Sequence, residues 1–129
     1  MQLNDLFTSS YTVSDKVYKG FIEVFNDNNP LHTDAGFAKN LGFEAEVMHG
    51  NILNGFLSHF IGECLPIKNV IIQSQQIKFL HPVYLGNTIE LQAVIDYYSE
   101  AVGVYSFNLK FINQANLKVA TGKIQIGVL

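Results

Sequence analysis

The chain has 129 residues, 48% of them hydrophobic, and a formal net charge of -3 with only 8 basic side chains. That is the size of one domain with a sizeable core, and the charge argues against non-specific nucleic-acid binding. The single cysteine, Cys64, excludes an internal disulfide, so nothing requires an oxidising compartment. No apolar run approaches the ~20 residues needed to span a bilayer. The amino-terminal run MQLNDLFTSS has no apolar core of the kind a secretion signal needs. The expectation is one cytoplasmic domain over 1–129, with no membrane or nucleic-acid partner.

Residues 3–13 carry Leu3, Leu6, Phe7, Tyr11 and Val13. They are read as an edge strand followed by a turn through Thr8-Ser9-Ser10. Ser14 is suited to cap a helix and Asp15 to its first turn. Val17, Tyr18, Phe21, Val24 and Phe25 then recur at helical spacing. Gly20 weakens such a helix by about 1 kcal/mol relative to Ala and is read as a mark of close packing. Asn26-Asp27-Asn28-Asn29-Pro30 ends the helix in a turn cluster. Asp34 is the next N-cap candidate. It opens a short helix over 35–41, with Phe37, Ala38 and Leu41 facing inward and Gly42 at the C′ position.

A loop over 43–49 leads into the longest helical pattern, 51–65. Ile52, Leu53, Phe56, Leu57, Phe60, Ile61, Cys64 and Leu65 form a wide apolar stripe, and Pro66 stops it. Cys64 on that stripe reads as a small core residue, not a nucleophile. The period then changes to two. Residues 70–80 alternate with a break around Gln75-Gln76, and 88–98, 104–112 and 117–129 alternate clearly. Leu91, Ala93, Ile95 and Tyr97 share one face, as do Tyr105, Phe107, Leu109 and Phe111. Turns at Ser99–Gly103 and Asn113–Asn116 predict antiparallel hairpins. The order of strand, helix, short helix, long helix and four or five strands predicts an α+β domain, an antiparallel sheet wrapped around one long apolar helix.

The chemistry concentrates between Phe25 and Gly50. Asp27 and His32 are five apart, a spacing that on one helix would set them about 140° apart. Pro30 between them breaks such a helix, and a folded-back turn can aim both side chains at one point. A carboxylate can orient a water and draw on one of its protons. An imidazole, which as a residue type titrates near neutrality, can take or give the other. Gly50 lies where the long helix begins, where backbone N–H groups are unpaired and partly positive. His32, His49, His59 and His81 show no close metal-ligand spacing, so no metal is expected.

The run Asp27-Asn28-Asn29-Pro30-Leu31-His32-Thr33-Asp34, followed by Phe37-Ala38, Gly42-Phe43 and His49-Gly50, resembles the signature of the MaoC-like dehydratases, the (R)-specific enoyl-CoA hydratases. The resemblance extends loosely through Phe79-Leu80-His81-Pro82-Val83 and Gly86. It implies a hot-dog fold, a homodimer with the site near its interface, and reversible hydration of a trans-2-enoyl-CoA to an (R)-3-hydroxyacyl-CoA. The CoA thioester is then the substrate and no cofactor is needed. In that scheme Asp27 activates water for attack at the β carbon. His32 holds the same water and helps supply the proton to the α carbon, and the Gly50 N–H polarises the thioester carbonyl. Asn29 shapes the loop, His49 braces the approach to Gly50, and Ser58 either lines the acyl pocket or faces solvent. The sequence departs from the family pattern at 44–48, which lack the usual Pro, at Asn51, where an apolar residue is commoner, and at Asn87, where an acid is. Two alternatives share the fold: a hot-dog thioesterase, and a non-catalytic acyl-CoA-binding or partner subunit of a dehydratase.

Overall fold

The computed structural model describes residues 1–129. In chain order it has β1 (Leu6–Thr12), α1 (Asp15–Phe25), α2 (Pro30–Thr33), α3 (Ala35–Asn40) and α4 (Asn51–His59). A π turn (Phe60–Cys64) continues α4, and β2 (Val70–Phe79), β3 (Thr88–Ser99), β4 (Val104–Asn113) and β5 (Lys118–Val128) follow. The five strands form one antiparallel sheet in the order β1-β3-β4-β5-β2. Two tight hairpins join β3 to β4 and β4 to β5, where the sequence predicts them.

The period-two faces and the helical stripe meet. Ile89, Leu91, Ala93 and Ile95 of β3, Phe107 and Phe111 of β4, and Ile124 and Ile126 of β5 are all 0% exposed. They close over Ile52, Leu53, Phe56 and Leu57 of α4 and over Phe60 and Ile61 of the π turn, which are buried as well. Each of these side chains except that of Ala93 contributes about 1.5–3 kcal/mol on leaving water, so this contact dominates the stability of the fold. The helical segment ends at Cys64, one residue short of the predicted limit. Leu65 is extended at φ -78°, ψ 150°, the conformation that a following proline imposes. Cys64 is half-buried.

The caps follow the sequence. Val17 N–H donates to Ser14 Oγ at 3.2 Å, Phe37 N–H donates to Asp34 Oδ1 at 3.1 Å, and Gly42 has φ +94°. Five local expectations need correction. Thr8, Ser9 and Ser10 do not turn: they pair with Gln92, Leu91 and Glu90 inside β1, because ladder bonds to β3 outweigh their preference for turns. In α3 only Ala38 is buried, while Phe37 and Leu41 are 43% and 59% exposed; a helix of six residues is too short to bury a wide face. Gly20 marks no close contact, since an added Cβ there would meet nothing within 4 Å. The irregularity in β2 lies between Ile72 and Ser74, and a second between Ile95 and Tyr97 turns Tyr97 out to 54% exposure, as a bulge does. No helix is long and apolar enough to cross a membrane.

Candidate active site

The site begins where α1 stops. Asn26 takes a left-handed conformation at φ 57°, and its N–H closes on Ile22 O at 2.7 Å. The chain then folds through nested side-chain caps. Asp27 Oδ1 accepts from Asn29 N–H at 3.3 Å, and Asn29 Oδ1 accepts from Leu31 N–H at 2.9 Å. Asn29 is therefore the N-cap of α2, with Pro30 in its first turn. Thr33 Oγ1 donates back to the carbonyls of Asn28 and Asn29 at 3.3 and 3.2 Å. This one short turn of helix brings His32 round to face Asp27, with His32 Nε2 3.8 Å from Asp27 Oδ2.

A second strip of chain clamps the first. Val47 N–H donates to Leu31 O at 3.0 Å, His32 Nδ1 meets Val47 O at 2.7 Å, and His49 Nε2 meets Asp27 O at 2.9 Å. Carbonyl oxygens only accept, so His32 Nδ1 and His49 Nε2 carry the hydrogens. Neutral His32 therefore turns a lone pair on Nε2 toward the Asp27 carboxylate. Two acceptors set this way can share one water, which donates a hydrogen to each. His49 is only 3% exposed, and its Nδ1 has no partner. Its ring lies 4.0 Å from that of His32 and 4.6 Å from Phe21. The Tyr18 hydroxyl donates to the His32 carbonyl; burial, and next the nearby Glu46 carboxylate, push that phenol above its ordinary pKa.

Gly50 stands at the head of α4 with φ -57° and ψ -34°. Its N–H has no hydrogen-bond partner. Its missing side chain is filled from one side, since an added Cβ would lie 3.0 Å from Phe79 Cε1. Asp27, His32, His49, Gly50 and Phe79 border a cavity of about 550 Å³. A larger cavity of about 890 Å³ lies between α1 and α4. The two share Phe21, Asp27 and Asn51.

The structure thus brings Asp27, His32, His49 and Gly50 together and gives Asn29 a loop-shaping cap. Ser58 is exposed and borders neither cavity. Sequence reasoning missed Tyr18, Phe21 and Phe79, whose spacing marks them only as apolar-face residues. Asp27, His32 and His49 offer ligand atoms within 4.8 Å of one another, a grouping that spacing along the chain does not reveal. In this arrangement His49 Nε2 and His32 Nδ1 are committed to carbonyls, which leaves the Asp27 carboxylate, His32 Nε2 and the buried His49 Nδ1 as the free ligand atoms of the set.

A family model described as a MaoC like domain matches residues 5–101. The (R)-specific enoyl-CoA hydratase of Aeromonas caviae is 28% identical over 80% of this chain and 77% of its own length. The 3-hydroxybutyryl-CoA dehydratase of Methylorubrum extorquens is 30% identical over 72% of this chain, a match that spans 58% of that relative. Among solved structures, the (R)-hydratase from A. caviae involved in PHA biosynthesis superposes with a TM-score of 0.90 over 100% of this chain and 98% of that one, at 23% identity. The ChsH1-ChsH2 complex from Mycobacterium tuberculosis gives 0.85 over 100% and 99%, at 11% identity. Both structural likenesses are likenesses of fold.

Proposed function

The chain belongs to the MaoC-like domain family, and from that premise we propose that it adds water reversibly to a trans-2-enoyl-CoA to give an (R)-3-hydroxyacyl-CoA. One observation carries the reading. Asp27 Oδ2 and His32 Nε2 stand 3.8 Å apart, and both residues border a cavity that is also lined by Gly50, whose N–H is unpaired. A water held between the first two donates one hydrogen to each. The Asp27 carboxylate takes a proton as the water oxygen bonds to the β carbon. The π electrons of the double bond shift onto the thioester oxygen, where the Gly50 N–H at the head of α4 stabilises the charge. As the enolate collapses, the proton lifted from the water reaches the α carbon through the Asp27–His32 pair. The water's other hydrogen stays on the new hydroxyl. His49 holds the Asp27 carbonyl and so sets the angle of its carboxylate.

A second copy of the chain completes the assembly in this reading. β2 is a free sheet edge whose Ile71, Ile72 and Phe79 are 52%, 37% and 51% exposed, the pattern of an edge that pairs. The ChsH1-ChsH2 and HadBC structures from M. tuberculosis are complexes of unlike chains, so light scattering on the purified chain decides the point: twice the chain mass supports the homodimer, and a monomer argues for an unlike partner.

The activity is tested with crotonyl-CoA, following the enoyl-thioester absorbance beside a thiol-release assay. Loss of absorbance without thiol is the expected result. Thiol release would make the protein a thioesterase instead, and binding without turnover would make it the non-catalytic subunit.

A further inference from the structure

If the β carbon is attacked at Asp27, acyl atoms from C4 onward lead toward the larger cavity, which borders the smaller one at Phe21, Asp27 and Asn51. Its two walls differ in kind. The α1 wall is apolar, built from Val17, Phe21, Val24 and Phe25, with Gly20 leaving room between them. Val24 and Phe25 are 68% and 66% exposed, so nothing else in the chain covers them. The opposite wall carries three amides. Gln75 Nε2 on β2 donates to Asn54 Oδ1 at 2.7 Å, and Asn54 Nδ2 donates to Asn51 Oδ1 at 2.7 Å.

An amide side chain has one carbonyl and two N–H donors. Once the three are joined, the Asn51 NH2 at one end and the Gln75 carbonyl at the other have no protein partner. Turning all three amides round reverses the relay but leaves the same two kinds of free end. Asn51 and Gln75 are exposed, so water serves those ends in the free protein. A plain alkyl chain laid along this wall strips the water and returns nothing, which leaves polar groups desolvated and unpaired. A hydroxyl or carbonyl on the chain restores the lost bond.

We propose that Asn51, Asn54 and Gln75 form a specificity wall that favours enoyl thioesters whose acyl chain carries a hydroxyl or carbonyl beyond C4 over plain alkyl chains. The proposal rests on the hydratase reading. Asn51 ties the two together: it follows the Gly50 oxyanion donor directly and its side chain ends the relay, so the wall starts beside the reacting carbons.

The test compares kcat/KM for trans-2-hexenoyl-CoA and its 6-hydroxy derivative, with crotonyl-CoA as the short control. The expected result is a preference for the hydroxylated chain of about tenfold, the size of one unmade hydrogen bond. Asn54→Leu, which cuts the relay in the middle, should reverse the preference, mainly through KM. Gln75→Leu, on a different element, should do the same and guards against a folding defect in the first variant. Equal use of the two hexenoyl thioesters, a preference for the plain one, or an unchanged ratio in both variants overturns the proposal. So does hydration of crotonyl-CoA with neither hexenoyl thioester accepted. Failure of all three thioesters would instead overturn the hydratase reading, and this proposal with it.

Discussion

Between Asn26 and Asp34 no residue is buried, whereas Ile89, Leu91, Ala93 and Ile95 of β3 are closed from solvent completely. The first stretch is held by directional bonds: Asp27 to Asn29, Asn29 to Leu31, Thr33 to two carbonyls, His49 to the Asp27 carbonyl. The second is held by apolar area. Area is worth more but places no atom accurately. A hydrogen bond contributes only about 1 kcal/mol net, yet it fixes distance and angle. The sheet and α4 therefore decide whether the chain folds, and the loop decides whether Asp27 and His32 meet one water.

Mutations should separate these two jobs. The largest loss of stability is expected from Phe107→Ala, which empties a fully buried site. It should lower the unfolding free energy in urea by about 3–5 kcal/mol, while turnover per folded molecule changes little. His49→Phe sharpens the contrast from the other side. The ring volume stays, the bond to Asp27 O goes, and kcat should fall about tenfold or more for a stability change near 1 kcal/mol. An equal fall in KM and kcat, or none in either, would show that His49 does not position Asp27. Ser14→Ala removes the cap of α1, on the side of that helix away from the site; a loss of about 1 kcal/mol with normal turnover is the expected pair of readings.

The smallest effect concerns pH. Burial pushes the Asp96 carboxyl up, but the Lys123 ammonium at 2.8 Å, the Ser106 hydroxyl and a backbone N–H together outweigh it and hold the group below its ordinary pKa. A carboxylate lowered by folding adds stability above its unfolded pKa and loses it as the pH falls through the lowered value. Asp96→Asn should therefore flatten the acid limb of the stability profile. Because Lys123 is 58% exposed, the difference at neutral pH should stay below about 1 kcal/mol. An unchanged acid limb would mean that the pair carries none of the pH dependence.

Legibility in the sequence followed the range of the forces. The caps at Ser14 and Asp34, the glycine at 42, the apolar stripe of α4 and the two hairpins depend on neighbours within a few residues, and the residue pattern specifies each. So does the nearness of Asp27 and His32, since Pro30 and the asparagines around it force a tight turn. What stayed hidden depends on distant partners. Thr8 to Ser10 read as a turn until β3 supplies their ladder. The bulges beyond Ile72 and Ile95 arise between strands. The His49 bond to Asp27 O spans 22 residues and the Gln75 bond to Asn54 spans 21, and no local pattern announces either.

The most direct test of the central claim, that Asp27 and His32 act on one water as a unit, is the rate of crotonyl-CoA hydration by Asp27→Asn, His32→Ala and the double variant. Each single change should lower kcat/KM by at least ~10²-fold, and the double variant should be no slower than the slower single. Near-normal hydration in either single variant, or losses that simply multiply in the double, would contradict it.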